Sequence, residues 1–512
     1  MSLPFLLSLQ PQASGDLSLT FVPADDEVTR CELLLTRRSD KRKFRVACTR
    51  DGDRFAVLLT LSPLLLERES RWDVRICEMS HERETSENLL RADRLARGVD
   101  RHFLVWATES HGLSCYLTES AQSLALYIAP CERHERVVSA ENARERYAYH
   151  LAEAPLVNNL VFFESFLGKA YAGNPRYLYE ALQRLRPDLR CVWSYDGDEA
   201  IPGSPQVVTR RSPDYYRLLA QARYRVNNVV FSVHGKKPET CYLQTWHGTP
   251  LKRIAFDIAN PQVDARDTFY RESRDWSILL SENSYSTDIF RRAFRYDGEV
   301  LESGYPLTDP LVQDCPDRLD RLSALGLPPQ AQVILYAPTW RDHKPVGDWQ
   351  YGMDLHLDLA AVAKRLPKDY FLLIKAHHLV AERINRSELP ANVRDVSHLG
   401  DITDLCCIAD CLITDYSSVF FDFAVTGRPI LFYCYDLALY GEALRGFYLD
   451  VHTDLPGPVV QDSDGLLELI GTLPAVSRRY ADQYARFRDR FCALNDGRAA
   501  ERVVERVFGA TK

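Results

Sequence analysis

Short runs of apolar or alternating residues follow one another along the first 130 residues, without the periodicity of an amphipathic helix. Polar turns such as Arg50-Asp51-Gly52-Asp53 separate these runs. Runs bounded by such turns are typical of β-strands. The pattern predicts a small β-sandwich-like accessory domain over residues 1–130. Its eight predicted strands are LSLTF, CELLLT, KFRVACT, RFAVLLTL, RWDVRIC, HFLVWAT, LSCYLT and SLALYIA.

A segment of helix-forming composition follows the predicted strands. The stretch SAENARERYAYHLAEA, near residues 139–154, contains neither proline nor glycine, the residues that most often interrupt a helix. We expect a helix here. Residues 131–156 are therefore assigned to a linker helix between the β domain and the rest of the chain.

From Val157 onwards, strand-like runs alternate with stretches of helical length. Runs such as CYLQTW and DCLITD are separated by stretches such as NPRYLYEALQRL, and this alternation predicts parallel sheets with crossover helices. This part of the chain contains more than about ten strand-like runs, which are too many for a single twisted sheet. We therefore predict two Rossmann-like domains, 157–320 and 321–512. The break is expected near residues 313–331, which carry proline, glycine and charge.

The composition is that of a globular protein and narrows the ligands that the chain can bind. It has 512 residues, of which 46% are hydrophobic and 26% charged, and a formal net charge of −8. A net-acidic chain is a poor non-specific binder of nucleic acid, because phosphate contacts need a basic surface. The densest group of cysteines, Cys406, Cys407 and Cys411, lacks nearby histidines and zinc-site spacing. We interpret these cysteines as buried apolar side chains in a reducing compartment.

Two further absences bear on localisation. No stretch reaches the ~18 apolar residues that a membrane-spanning helix needs. The first residues, MSLPFLLSLQPQ, have no basic segment and only a short apolar run, unlike a signal peptide. A cytoplasmic protein, soluble or peripheral to a membrane, is expected.

The first candidate chemistry lies where the strand DCLIT ends. Ligands of open α/β sheets bind outside the carboxyl ends of the strands. Ser417 and Ser418 follow this strand and open a short helix, which offers hydroxyls and backbone N–H groups to a phosphate. Asp422, on the same helix, can accept from a ribose or glycerol hydroxyl. The alternative is that a serine here only caps the helix.

Histidines follow two other predicted strands. His247 comes after CYLQTW and suits a general base, because an imidazole titrates near neutral pH. Gly248 allows a close approach, and Pro250 predicts the start of a helix. In FLLIKAHHLV, Lys375 and His377 reach the same edge, where a cation and an imidazole can neutralise phosphoryl oxygens. For each histidine, a structural role in a turn is the alternative.

Several enzyme classes lack their signatures in this sequence. It contains no G-x-x-x-x-G-K-[ST], no G-x-G-x-x-G after a strand and no G-x-S-x-G. These absences argue against P-loop kinases, dinucleotide oxidoreductases and α/β-hydrolases. The triplets Asp51-Gly52-Asp53 and Asp196-Gly197-Asp198 lie in turn-like contexts. We interpret both as loops and predict no metal site.

Taken in order, these segments resemble the CDP-glycerol glycerophosphotransferase family, the teichoic-acid primases and polymerases. The resemblance covers about residues 157–455 and leaves the first 130 residues outside it. One segment departs from the family pattern: where G-Y-P-R-N-D is frequent, residues 304–309 read GYPLTD. The resemblance is carried by VFFESFLGKAYAGNPRYLYEAL, LQTWHGTPLKRIAFD, SENSYST, ESGYPLTDPL, YAPTWRD, IKAHH and the segment 401–451.

The resemblance implies a GT-B fold of two facing Rossmann-like domains, the first facing the acceptor and the second holding CDP-glycerol. It also implies that His247 is the base on the acceptor hydroxyl and that His377 contacts the donor phosphate. The acceptors are lipid-linked, so association with the inner face of the cell membrane is implied as well. The donor is expected to be bound by Lys375, Pro338, Thr339, Trp340, Thr414, Ser417, Ser418 and Asp422. The acceptor side of the cleft is expected to include Gly248, Thr249, Lys252 and Tyr305.

The expected reaction is transfer of a polyol phosphate, glycerol phosphate from CDP-glycerol, to a lipid-linked or polymeric acceptor in teichoic-acid or capsule-type synthesis. CMP leaves, and no redox or organic cofactor is required. Because of the GYPLTD departure, a ribitol-phosphate transferase stays open as an alternative. So does a nucleotide-sugar glycosyltransferase or capsule polymerase, since one fold serves many donors. A non-catalytic binding protein, with the β domain as its working part, is the third reading.

Overall fold

The structure is a computed structural model, and the chain in it forms two compact units. One comprises residues 1–155 with 211–221, and the other comprises residues 156–210 with 222–512. The residues described are 3–509 without 13–15, 26, 62–63, 65–68, 81–82, 91–101, 109, 119–122, 259–262, 314, 316, 340–344, 348–349, 352–356, 377–388 and 438–445.

Strands and helices occupy most of the described chain. The strands of the first unit are β1 Phe5–Pro11, β2 Leu17–Val22, β3 Arg30–Arg37, β4 Lys43–Ala47, β5 Thr49–Asp51, β6 Arg54–Leu59, β7 Ser70–Ser80, β8 Arg83–Leu89, β9 His102–Ala107, β10 His111–Leu117 and β11 Leu124–Pro130. Those of the second are β12 Val157–Glu164, β13 Arg190–Ser194, β14 Gln206–Val208, β15 Ala222–Asn227, β16 Cys241–Gln244, β17 Ile278–Ser281, β18 Glu299–Glu302, β19 Gln332–Ala337, β20 Pro345–Gly347, β21 Gln350–Tyr351, β22 Tyr370–Ile374, β23 Val393–Asp395, β24 Cys411–Thr414, β25 Ile430–Tyr433 and β26 Val459–Val460. The α-helices are α1 Cys131–Glu153, α2 Gly173–Leu185, α3 Pro213–Gln221, α4 Val263–Ser273, α5 Ser284–Ala293, α6 Asp309–Val312, α7 Arg318–Ala324, α8 Leu359–Arg365, α9 Ile402–Ile408, α10 Val419–Ala424, α11 Ser463–Gly471, α12 Leu473–Phe491 and α13 Ala499–Phe508.

The strands of the first unit pair in antiparallel fashion in two sheets. One sheet has the order β1-β2-β6-β5, and the other has the order β4-β3-β7-β11-β10-β9 with β8 on β7. Side chains of both sheets, including Leu19, Phe55 and Trp72, share one hydrophobic core. The structure adds β1, β5 and β8 to the eight predicted strands. Strands β5 and β8 have the sequences TRD and RETSENL, which contain no apolar pattern from which a strand could be predicted.

The second unit contains two parallel sheets, which confirms the predicted α/β class. Their strand orders are β14-β13-β12-β15-β16-β17-β18 and β23-β22-β19-β24-β25-β26. Renumbered within each sheet, both orders begin 3-2-1-4-5-6, the order of doubly wound nucleotide-binding sheets. In such sheets ligands bind where the strand order reverses. These switch points lie between β12 and β15 and between β19 and β24.

Helix α13 returns from the end of the chain to the first parallel sheet. Its residues Val503, Val504 and Phe508 belong to the same hydrophobic core as Val161 and Phe163 of β12. The carboxylate of Asp309 accepts from the backbone N–H groups of Ala499 at 2.9 Å and Ala500 at 2.8 Å, as an N-cap does. Asp309 therefore anchors the first turn of this helix.

Cys315 and Cys407 form a disulfide in the structure. The interpretation of Cys407 as a buried thiol is therefore wrong for this structure, whereas Cys406 and Cys411 are buried and free. The two bridged residues are 92 positions apart, so their spacing carries no sequence signal.

As for membrane insertion, none of the helices in the described ranges is long and apolar enough to cross a bilayer.

Candidate active site

One cavity is lined by the turns that follow four strands of the two parallel sheets. It has a volume of about 370 Å³ and lies beyond the carboxyl ends of β16, β19, β22 and β24. Nine of the predicted site residues line it: His247, Gly248, Thr249, Lys252, Pro338, Thr339, Lys375, Ser417 and Ser418.

His247 is the third residue after β16 and is held in one tautomer. Its Nδ1 atom lies 2.6 Å from the backbone carbonyl oxygen of Asn228. Because a carbonyl oxygen only accepts, Nδ1 carries the proton and the lone pair of the neutral ring is on Nε2. Burial lowers the pKa of His247 below its ordinary value. The ring is therefore neutral at pH 7 and can take a proton.

Asn228 supports His247 and was missed by the sequence reasoning. Its side chain accepts from the Phe166 N–H at 2.8 Å and donates to Ser165 Oγ at 3.1 Å. These two bonds fix the peptide whose carbonyl accepts from His247. Phe166 and Leu167 have left-handed backbones, with φ of 45° and 60°, so the turn is strained. A polar residue at the end of a buried strand is the signal that could have identified Asn228.

Gly248 brings the histidine turn against the serine turn. Its φ is +145°, and a Cβ at this position would lie 2.6 Å from Ser418 Oγ. Only glycine fits both the backbone angle and the space. The turn bearing the candidate base therefore touches the turn bearing the candidate phosphate-binding serines.

The helix predicted to begin at Pro250 is absent, and this prediction is wrong. The next helical turn is a 3₁₀ turn at Ala255–Asp257. Lys252 instead pairs with Phe447 in an antiparallel bridge, and the Arg253 N–H donates to the Gly446 carbonyl at 3.1 Å. The backbone after Pro250 is therefore extended, because it bonds to another segment rather than to itself.

The serine turn is tied to the turn after β19. Asp415 Oδ1 accepts from the backbone N–H of Thr339 at 2.8 Å and from that of Tyr416 at 2.6 Å. Ser417 and Ser418 are both partly exposed to the cavity. Both side chains lie at one wall of the cavity, where Ser417 Oγ also accepts from the backbone N–H of Val419 at 3.4 Å, and the helix that follows, α10, has only six residues.

Lys375 supplies positive charge to the cavity wall. Its ammonium donates to the backbone carbonyls of Ser397 and Leu399, which leaves one of its three protons for a ligand. Burial lowers the pKa of the Lys375 ammonium from its ordinary value. An anion in the cavity would offset that desolvation.

Three of the predicted residues do not line the cavity. The Thr414 hydroxyl donates to the Ala337 carbonyl at 2.7 Å, so it joins β24 to β19. Asp422 is buried behind the serine turn, and burial raises the pKa of its carboxyl. Tyr305 is fully buried and packs with Leu307 in the core of the first parallel sheet. Leu307 is one of the positions that depart from G-Y-P-R-N-D, so this departure lies in a core and not at the cavity.

Two of the predicted residues are not described by the structure. His377 and Trp340 lie outside the described residues. In the part of the chain that the structure describes, no group of three or more His, Cys, Asp and Glu side chains is arranged to hold a metal ion. In the first Asp-x-Asp triplet, Asp51 ends β5 and Gly52 and Asp53 form the turn after it, whereas the triplet 196–198 lies in the loop after β13.

Known proteins share the sequence and fold of this part of the chain. The family model "CDP-Glycerol:Poly(glycerophosphate) glycerophosphotransferase" matches residues 146–509. The teichoic acid poly(glycerol phosphate) polymerase of Staphylococcus epidermidis is 39% identical over 387 residues, which cover 72% of this chain and 54% of that protein. The teichoic acid glycerol-phosphate transferase of Staphylococcus aureus is 39% identical over 364 residues, 68% of this chain and 93% of that protein.

The fold has a solved counterpart in the wall teichoic acid polymerase TagF. Its structure superposes with a TM-score of 0.68 at 37% identity, over 74% of this chain and 95% of that one, and a TagF variant has been solved after a soak with CDPG. Proteins named as teichoic acid ribitol-phosphate polymerases are more distant, at 27% identity. The chain spans about half the length of the S. epidermidis relative.

Proposed function

The chain belongs to the CDP-glycerol:poly(glycerophosphate) glycerophosphotransferase family, and from this premise we propose that it transfers glycerol phosphate from CDP-glycerol to a hydroxyl of a lipid-linked or polymeric acceptor. The two parallel sheets are then the halves of a GT-B fold, with residues 157–320 on the acceptor side and 321–512 on the donor side. Residues 1–130 form an accessory all-β domain. The enzyme works at the cytoplasmic face of the cell membrane, because its acceptor is lipid-linked.

The observation that carries the proposal is the meeting of His247 and the Ser417–Ser418 turn in one cavity. In the proposed reaction, the acceptor hydroxyl oxygen attacks the β-phosphorus of CDP-glycerol and Nε2 of His247 takes its proton. The bond between this phosphorus and the bridging oxygen breaks, and CMP leaves with that oxygen. Serine hydroxyls and the Lys375 ammonium bind the phosphoryl oxygens, whose charge redistributes in the transition state. His377 keeps its predicted role at the donor phosphate.

Two observations support glycerol phosphate, and not ribitol phosphate, as the group that the enzyme transfers. The relatives named for glycerol phosphate reach 39% identity, against 27% for those named for ribitol phosphate. The two positions that depart from the family pattern, Leu307 and Thr308, are buried and do not line the cavity, which supports glycerol phosphate over ribitol phosphate as the transferred group.

A donor panel tests the proposal. The purified full chain is incubated with CDP-glycerol, CDP-ribitol or a nucleotide sugar, each with and without a lipid-linked glycerol-phosphate primer, and the released nucleotide is identified by chromatography. We expect CMP from CDP-glycerol, dependent on the primer. Release of a nucleoside diphosphate from the sugar donor would make the chain a glycosyltransferase, and CMP from CDP-ribitol alone would make it a ribitol-phosphate transferase.

The tautomer and burial of His247 predict the pH dependence. Only the neutral ring accepts a proton, so kcat/KM should rise with pH as His247 loses its proton and then level off. Because burial lowers the pKa of His247, this rise should be centred below the ordinary value of about 6.5. Initial rates at constant ionic strength between about pH 5 and 8 measure it. A rise centred above pH 7 would contradict the assignment of His247 as the base.

A further inference from the structure

A pair of buried carboxyl groups lies behind the cavity wall. Glu282 directly follows β17, and Asp422 lies in α10, one helical turn beyond Ser418; their residues are 1% and 7% exposed. Burial is the main reason why the pKa of each carboxyl is raised, and the charge of Glu282 raises that of Asp422 further. Two ionised carboxylates in such a place repel each other, so the pair retains a proton.

The hydrogen bonds decide which carboxyl is ionised. Glu282 accepts from Thr249 Oγ1 and, at 2.8 Å, from Asn495 Nδ2. Asp422 Oδ1 has no hydrogen-bond partner among the described residues. An unpaired buried charge is far more costly than one with two donors. Glu282 is therefore the member of the pair that ionises first, and Asp422 holds its proton more tightly.

Through Thr249, Glu282 reaches the wall of the cavity. The Thr249 hydroxyl donates to Glu282 and accepts from Ser286 Oγ at 3.2 Å. The whole residue is 0% exposed, so although Thr249 borders the cavity, its hydroxyl belongs to this hydrogen-bond network. His247 and Gly248 immediately precede it, and Gly248 lies against Ser418.

We propose that Glu282 is a positioning residue that holds the His247–Thr249 turn against Ser418 through the Thr249 hydroxyl. The role rests on the proposed function, because it concerns the distance between the base and the groups that bind the donor phosphate. A displacement of about 1 Å in such a geometry can cost 10²-fold in rate. Glu282 is thus required for turnover although it touches no substrate.

Two substitutions at Thr249 test this role. Thr249→Val keeps the shape but removes the hydroxyl, and we expect kcat for CMP release to fall about 10–100-fold. KM for CDP-glycerol should change by less than about threefold, because the donor-binding groups stay in place. Thr249→Ser restores the hydroxyl, and its kcat should lie within about threefold of the wild type.

Glu282→Gln tests the same role from the other side. An amide has one accepting oxygen, so it can take the bond of Thr249 or that of Asn495 but not both. We expect a loss of kcat here also, with a smaller effect when Glu282→Gln is added to Thr249→Val than when it is made alone. That non-additivity is measured as a double-mutant cycle on kcat.

Glu272→Gln is the matched control. Glu272 is equally buried and accepts from the Tyr242 hydroxyl and the Phe231 N–H, but it does not line the cavity. The Glu272→Gln substitution should lower the melting temperature and leave the kcat of the folded enzyme unchanged. If Thr249→Val keeps the wild-type kcat, or if Thr249→Ser loses as much as Thr249→Val, the positioning role is wrong.

Two further readouts separate the possible failures. Wild-type CMP release is measured first: its absence refutes the proposed function, whereas its presence together with an unaffected Thr249→Val refutes only the role of Glu282. Melting temperatures accompany every variant. If Thr249→Val does not fold, Glu282→Gln alone decides, and an unchanged kcat in that variant overturns the inference.

Discussion

Replacing His247 by alanine is expected to lower kcat/KM for CMP release from CDP-glycerol by about 10²–10⁴-fold, the usual contribution of a general base. The Nε2 lone pair, which the Asn228 carbonyl orients by fixing the proton on Nδ1, is then missing, and the acceptor hydroxyl attacks without losing its proton. Initial rates at saturating primer, with the released CMP quantified, measure the change. The melting temperature should stay near that of the wild type, because the ring is only partly buried.

His452→Ala is the control for this experiment. His452 is an exposed histidine in the same unit and does not line the cavity, so the same chemical change there should leave kcat/KM within about twofold. A His247→Asn variant adds a second comparison, because the asparagine amide can donate a hydrogen bond yet cannot take up a proton. Turnover close to the wild type in a folded His247→Ala enzyme would remove His247 from the mechanism.

Replacing Gly248 by alanine is expected to reduce kcat/KM by at least about 10²-fold. The backbone angle of +145° is unfavourable for a residue with a Cβ, and that atom would lie 2.6 Å from Ser418 Oγ and 3.1 Å from Ser418 Cβ. Either the histidine turn moves away or the serine side chain rotates. Both responses change the distance between the base and the phosphate-binding hydroxyls.

The control for Gly248→Ala separates backbone strain from the collision. Gly326 has a φ of +64°, but a Cβ there would have no neighbour within 4 Å. Gly326→Ala should therefore lower the melting temperature slightly, by a strain of about 1 kcal/mol, and leave kcat/KM unchanged. Kinetics and melting curves of both variants distinguish the two effects. A Gly248→Ala enzyme with wild-type kcat/KM would show that contact with Ser418 is not needed for catalysis.

Most of what positions the cavity could be read from the pattern of the chain. Alternating strands and helices indicate parallel sheets, and the carboxyl ends of parallel strands share one edge. This is why turns as distant in sequence as those bearing His247, Lys375 and Ser418 could be assigned to a common site. The physical rule concerns the backbone direction of strands, so it holds without knowledge of any side chain.

The direction of a side chain could not be predicted from the direction of the strands. A motif letter does not tell whether a side chain faces a ligand or the interior, and for this reason Tyr305, Thr414 and Asp422 were assigned to the cleft although the structure buries them. Glu282 could not be identified from the sequence because its role depends on residues that are distant in the chain. Its role depends on Thr249 and Asn495, and such long-range hydrogen bonds leave no periodicity in a sequence.

Some local elements were also decided by distant partners. Pro250 is a favourable first residue of a helix, yet the segment after it bonds to residues near Phe447 and stays extended. Strand β8, with the sequence RETSENL, forms because it pairs with β7. In both cases tertiary hydrogen bonds outweigh the local preference.

The return of α13 to the first parallel sheet determines how the enzyme can be dissected. A fragment that ends near residue 320 lacks Val503, Val504 and Phe508, which complete the core around β12. Such a fragment would present an apolar face to water and tend to aggregate. The remaining piece would carry an orphan amphipathic helix without the Asp309 cap. Separate halves for binding studies therefore have to be made by transplanting the last helix onto the first half through a short linker.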